Sequence, residues 1–277
     1  MWGFMPIFFK QISHVPAFEI VAHRVVWAIP LLLAIMAFRQ QLVEYISVLR
    51  SWKMLRWMVL SAILISTNWL VYVWAVNSGQ ILATSLGYYL NPLMNVALGT
   101  IFLSEKLSRR QWIAVGLAVV AVAILAVGAF STLWISLTVA GSFCLYGFVR
   151  KLAPVGAVPG LAVETTVLLP VSMFAAYWFA FQPDSSGWTG DTETMLYLVV
   201  GGAMTAMPLL FFAVAARKLD YSLLGFIQYI GPTIQFLVAI FLYGEELDEA
   251  RLLAFALIWA GLILFSSDAF RKKPAPA

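Results

Sequence analysis

Charge and cysteine are what this chain has least of. Charged residues make up 11% of its 277 residues, against about 25% in a soluble domain, and mean hydropathy is +0.91. There is one cysteine, Cys144, so no intrachain disulfide can form. Two histidines, His14 and His23, cannot build a metal site with it at any recognised spacing, and no cofactor is expected. No G-x-x-x-x-G-K-[ST] loop occurs, which excludes a self-contained ATP-driven pump. Nothing resembles a nucleophile elbow or an H-E-x-x-H zinc motif, so an enzyme is not expected. The first residues lack a basic n-region and a small-residue cleavage site, so no signal peptide is expected.

What remains is apolar. Hydrophobic residues reach 62%, too much for one water-soluble core. Lipid can act as the outer solvent instead, because bilayer chains are as apolar as leucine. The apolar residues fall in runs of about 18–25, the length that lets a helix cross about 30 Å of hydrocarbon. Backbone polar groups cannot be left bare in lipid, so only helices or closed barrels span it, and continuous runs point to helices. The expected fold is all-α: a polytopic membrane helix bundle of about ten transmembrane helices. Spans read as 17–38, 54–77, 81–103, 110–129, 131–149, 159–182, 192–216, 221–243 and 250–270, after a shorter apolar piece at 1–9.

Orientation follows from the basic residues. Fourteen of the 17 Lys and Arg fall in one set of alternate loops, from Arg39 and Arg50 through Arg150 and Lys151 to Lys272 and Lys273. The opposite set holds only Lys10 and Arg251, and Arg24 lies inside a span. The basic set is therefore expected on the cytoplasmic side. The net charge of +4 is then topological, and no nucleic-acid partner is expected.

Sliding the chain against itself by 140 residues superposes its landmarks. Pro30 falls on Pro170, Tyr89 on Tyr229, Pro92 on Pro232, Glu105 on Glu245 and Leu107 on Leu247. Each half then holds five helices. Five is odd, so the second half enters the membrane from the opposite side, giving two inverted five-helix repeats. The expected layout is one membrane domain over 1–277: a first repeat at 1–130, a second at 131–270, and a cytoplasmic tail at 271–277. Trp2-Gly3-Phe4, at the start of the chain, is similar to Tyr146-Gly147-Phe148, which end a helix begun near Ser131. This likeness predicts that the first helix is truncated by about a dozen residues or more, since nine helical residues span only about 14 Å. A mis-assigned or alternative start, or a shortened chain, is the expected cause.

Polar groups inside spans are expensive and therefore informative. Arg24 lies about two turns into its span, beside His23, and the repeat sets Glu164 at the equivalent position. An Arg24–Glu164 ion pair, the lining of a wet cavity, and snorkelling to nearer headgroups all remain open. His23 is either a proton-coupling group or a hydrogen-bonded packing histidine. Tyr88, Asn91 and Asn95 share one helix face. Their equivalents are Gln228, Gly231 and Gln235, beside Tyr229. This stripe lines a substrate pathway or makes interhelical hydrogen bonds. Pro92 and Pro232 each remove a backbone bond and are the candidate kinks or hinges. Asn68 and Tyr72, one turn apart, flank Trp69 and suit an amphipathic organic solute or simple packing. Ser108 with Gln111 has the capping-box pattern, and Asp248 is a fair cap. Glu105 and Glu245 are expected to organise tight connections, not to catalyse.

Residues 19–27 (EIVAHRVVW), 68–77 (NWLVYVWAVN), 85–92 (SLGYYLNP), 146–151 (YGFVRK) and 224–232 (LGFIQYIGP), followed by Tyr243-Gly244-Glu245, resemble the RarD family within the EamA group of the drug/metabolite transporter superfamily. The resemblance implies ten helices in two inverted repeats, both termini cytoplasmic, and a central cavity built by both halves. It implies a secondary transporter or permease in the inner membrane, exporting or exchanging a small organic solute by alternating access. The RarD name carries a chloramphenicol-sensitivity label. The lipid bilayer and the solute are the implied partners. A coupling proton and a homodimer are compatible with this reading. A membrane-embedded enzyme or a non-transporting assembly factor is the alternative.

Overall fold

The computed structural model describes residues 1–78, 80–127, 130–181, 192–244 and 249–271. Their regular structure is helical throughout: α1 (Met5–Gln11), α2 (Ala17–Phe38), α3 (Leu42–Arg50), α4 (Trp52–Asn77), α5 (Ile81–Phe102), α6 (Arg109–Val127), α7 (Leu133–Leu152), α8 (Ala157–Ala180), α9 (Thr192–Lys218), α10 (Tyr221–Gln228), α11 (Ile230–Tyr243) and α12 (Glu249–Arg271). By length and composition, seven stretches among the described residues can cross a membrane: Ala17–Phe38, Trp52–Ala75, Arg109–Val127, Leu133–Leu152, Ala157–Ala180, Thr192–Lys218 and Tyr221–Tyr243. Leu252–Asp268 is a shorter apolar helix. Large apolar side chains stand fully outward, Val171 at 71% and Phe241 at 83% exposure. Water would punish such a surface, but lipid does not.

Two findings differ from the sequence reading. The linker after residue 38 holds an amphipathic helix, α3, with Val48 buried and Val43 exposed. And residues 221–243, read as one span with a candidate kink at Pro232, are two helices that part at Tyr229, between α10 and α11. Pro232 explains the break. It has no N–H for the Gln228 carbonyl four residues back, so the helix loses that bond.

The chain divides into two compact units, each built from two separate stretches. The first joins Met1–Asn77 to Leu145–Lys218. Here α2 packs against α8 and α9, α4 against α8, and α3 against α4 and α8. Gly202 lets α9 approach α2 closely; a Cβ there would sit 2.5 Å from the Trp27 carbonyl carbon. The second unit joins Ser78–Cys144 to Leu219–Ala277. In it α6 packs on α12 and α5 on α10, around a core that includes Leu86, Tyr89, Ala118, Phe226, Phe255 and Phe265.

Several helices thus pack on the helix that lies 140 residues further along: α2 on α8, α5 on α10, α6 on α12. The α5–α10 pair runs antiparallel. Asn91 bonds Gln228, Asn95 faces Gly225, and Gly99 faces Ser222, so advancing along α5 means retreating along α10. Tyr229 donates its hydroxyl to the Tyr89 carbonyl at 3.2 Å, and these two residues are themselves 140 apart.

Connections are fastened by side chains. The Glu105 carboxylate accepts from the Tyr221 N–H (2.5 Å), the Ser222 N–H (2.8 Å) and the Ser222 hydroxyl (2.6 Å). It thereby serves the first free N–H groups of α10, where a negative charge is favoured. Ser108 and Gln111 form the reciprocal capping box of α6, at 2.8 and 3.2 Å. Glu245 and Asp248 lie outside the described residues.

Candidate functional site

In the first unit Arg24 projects from α2 toward α9 and α4. Its Nε donates to Thr205 Oγ1 at 2.5 Å. The guanidinium carbon lies 5.3 Å from the Phe9 ring centre and 5.4 Å from that of Trp69, within cation–π range of both. Room for its stem comes from Gly201, whose added Cβ would stand 3.5 Å from Arg24 Cγ. Arg24, Trp69, Glu164, Thr165 and Thr205 line a narrow cavity of about 10 Å³ whose other walls are apolar. Through Val25, Trp69 and Leu168 it adjoins an apolar cavity of about 320 Å³ between α2, α4 and α8. Residues 18–25 of α2 share that larger cavity with 168–179 of α8, whereas 24–28 share the narrow one with 161–168. These two helices therefore also run antiparallel.

Glu164 is buried at the cavity wall, and its ion-pair partner is Arg150, Nη1 to Oε1 3.2 Å. Ser61 donates to Oε1 at 2.6 Å and Tyr146 to Oε2 at 3.3 Å. Arg150 is fully buried. Its Nη2 donates to the Ala157 carbonyl at 2.9 Å, and Nη1 meets Met58 Sδ at 3.2 Å. Both partners carry further hydrogen bonds, which a buried pair requires, and only Arg150 Nε of the guanidinium is left without one. A Cβ on Gly160 would overlap the Arg150 guanidinium, so a side chain there has to displace it. Sequence reasoning counted Arg150 among the loop cations and missed this cluster. The signal present was Tyr146 and Arg150 at i, i+4, hence on one face.

His23 is fully buried; Trp27 Nε1 donates to its Nδ1 at 3.3 Å, and its Nε2 lies 3.9 Å from Glu19 Oε1. Glu19, also fully buried, opens the 19–27 stretch but is not among the candidate site residues of the sequence. Asn68 is buried and Tyr72 half-buried, and neither lines the two cavities.

The second unit gathers the amide stripe. Asn91 Nδ2 donates to Gln228 Oε1 at 2.6 Å. Asn95, one turn on, is fully buried, Tyr229 is buried, Tyr88 is exposed and Gln235 half-buried. Pro92 sits within the continuous α5, next to Asn91.

The sequence profile of the EamA-like transporter family matches residues 1–127. An uncharacterized transporter of Pseudomonas aeruginosa is 43% identical over 98% of this chain and 91% of its own length. Protein RarD of Salmonella typhimurium is 42% identical over 99% of this chain and 94% of its own. The chain belongs to the RarD family of EamA-like transporters. As a RarD-type protein it is a multi-pass membrane transporter of the drug/metabolite type, working in lipid on a small solute. A protein of known crystal structure has the same fold, with a TM-score of 0.73 and 19% identity, over 98% of this chain and 95% of its own. The residues that carry the RarD resemblance also build both sites: 19–27 supplies Glu19, His23 and Arg24, 146–151 supplies Tyr146 and Arg150, and 224–232 supplies Gln228 and Tyr229.

Proposed function

We propose that the chain is a secondary transporter moving a small organic solute across the inner membrane by alternating access. In this reading 1–130 and 131–270 are inverted repeats of five helices each, and they exchange inward-open and outward-open arrangements. The supporting observation is the antiparallel packing of helices equivalent under the 140-residue shift, α5 on α10 with Tyr229 bonded to Tyr89. Equivalent helices that meet in opposite directions are what an in-plane pseudo-twofold axis demands. The basic residues of alternate loops support a cytoplasmic position for both termini. Arg24, Trp69 and Glu164 with their adjoining apolar cavity, and Asn91, Asn95 and Gln228, are the solute-pathway groups. His23, Asn68, Tyr72, Tyr88, Tyr229 and Gln235 support them, and Pro92 and Pro232 are the hinges.

The test is solute counterflow in proteoliposomes, screened over labelled organic solutes. The expected result is flux that Arg24→Gln and Asn91→Leu each lower about tenfold, the size of one lost charged or neutral buried hydrogen bond, in variants that still fold and elute as the wild type does. Flux indifferent to both substitutions, or chemical turnover of the solute without flux, refutes the reading. Single cysteines placed at either end of a Cys144→Ala chain and labelled from one side check the orientation; labelling of the ends from opposite faces refutes it.

A further inference from the structure

In the second unit the carboxamides of Asn91 and Gln228 bond to each other, and a third, Asn95, stands one helical turn from Asn91 on the same face of α5. Asn91 donates to Gln228. This leaves Asn91 Oδ1, Gln228 Nε2 and both polar atoms of Asn95 buried without a hydrogen-bond partner. Asn95 is 0% and Asn91 5% exposed. Buried amide atoms are nearly always paired, and four orphans in one cluster need a cause.

The pattern of what is left over is informative. It consists of two acceptor oxygens and two amide nitrogens with hydrogens to give. Turning the amides over while keeping the Asn91–Gln228 bond preserves that count. No Asp, Glu, Lys, Arg or His occurs anywhere in α5, α10 or α11. An ion arriving here would shed its water and meet no countercharge from these helices. A cation would use the oxygens and be repelled by the N–H groups, and an anion the reverse. An uncharged group that both gives and accepts uses all four.

Open space and a further acceptor follow Gln228 in the chain. Gly231 lies just past the break, at the start of α11, and a Cβ there would meet nothing within 4 Å. Pro232 has no N–H for the Gln228 carbonyl, at the break between α10 and α11.

We infer that Asn91, Asn95 and Gln228 form a subsite for an uncharged hydrogen-bonding group of the solute, of which a carboxamide is the simplest. The inference rests on the transport reading for the word solute, but the binding chemistry stands separately.

Three ring-matched probes separate the cases: benzamide, benzoate and benzamidine, which is cationic. Equilibrium binding is measured on the full chain in nanodiscs. Benzamide is expected to bind at least about tenfold tighter than either ion, and Asn95→Leu to remove that preference. Gly231→Leu fills the open space and weakens benzamide without altering an amide. Asn95→Asp, nearly isosteric, moves the preference to benzamidine; this arm decides if the leucine variant does not fold. Equal binding of the three probes, or an order that Asn95→Leu and Asn95→Asp leave unchanged, overturns the inference. So does absence of benzamide binding together with a higher melting temperature for Asn95→Leu, since the amides then hold water only. Benzamide counterflow is scored separately. Binding that follows Asn95 without flux keeps the subsite and removes transport, whereas flux indifferent to Asn95 does the opposite.

Discussion

Replacing Arg150 by Met leaves the Glu164 carboxylate buried with Ser61 and Tyr146 but no cation. Glu164 is 1% and Arg150 0% exposed, so water cannot take over the lost role. Breaking such a pair from one side costs about 3–5 kcal/mol, whereas replacing both partners by apolar residues of similar size is close to neutral or stabilising. The expected order of stability is therefore wild type and the Arg150→Met/Glu164→Leu double variant together at the top, with Arg150→Met about 3–5 kcal/mol below. Gly160 sharpens the test. Gly160→Ala drives a methyl into the guanidinium, so it destabilises the wild type and is tolerated beside Arg150→Met. The assay is reversible unfolding in mixed micelles, followed by tryptophan fluorescence, as a double-mutant cycle. Additive losses for Arg150 and Glu164, or a Gly160→Ala penalty that persists without Arg150, refute the reasoning.

Further expectations follow from other contacts. Glu105→Ala removes three acceptor contacts at the start of α10 and lowers stability by about 1.5–3 kcal/mol, read from the same unfolding curve; no change would mean that water caps this end. Ser108→Ala breaks the box at α6 and its 2.6 Å bond to Asp268, costing about 1 kcal/mol or somewhat more, measured likewise. Gly202→Val collides with the Trp27–Ala28 backbone and is expected to abolish a monodisperse elution peak; a normal peak would contradict the close α2–α9 approach.

The helices were largely legible because hydrophobicity is a local signal. The span read as 17–38 is α2 to the residue, and 192–216 differs from α9 only at its C-terminal end. Helix α3 escaped notice because nine residues with Glu44 and Arg50 carry too short a periodic signal. Pro232 was named as a candidate kink, but a break three residues before it, at Tyr229, was not. At the candidate site, sequence picked out Arg24 and Glu164 as equivalent, expensive residues, and both line one cavity. It did not pick out Arg150 as the partner of Glu164 or Thr205 as that of Arg24. Those pairings join separate helices, and nothing in the chain's order announces them. The amide stripe was readable because i, i+4 spacing fixes a face, but the meeting of Asn91 with Gln228 depended on how two helices cross.

Each compact unit joins an early stretch of the chain to a late one. Helix α2 is inserted by the translocation machinery long before α8 and α9 exist. Until they emerge, Glu19, His23 and Arg24 have no late-made surface to hide against. A ribosome that stops after the first half leaves both units unfinished, a ready target for membrane quality-control proteases. Biogenesis of this protein is thus committed only when its last helices arrive.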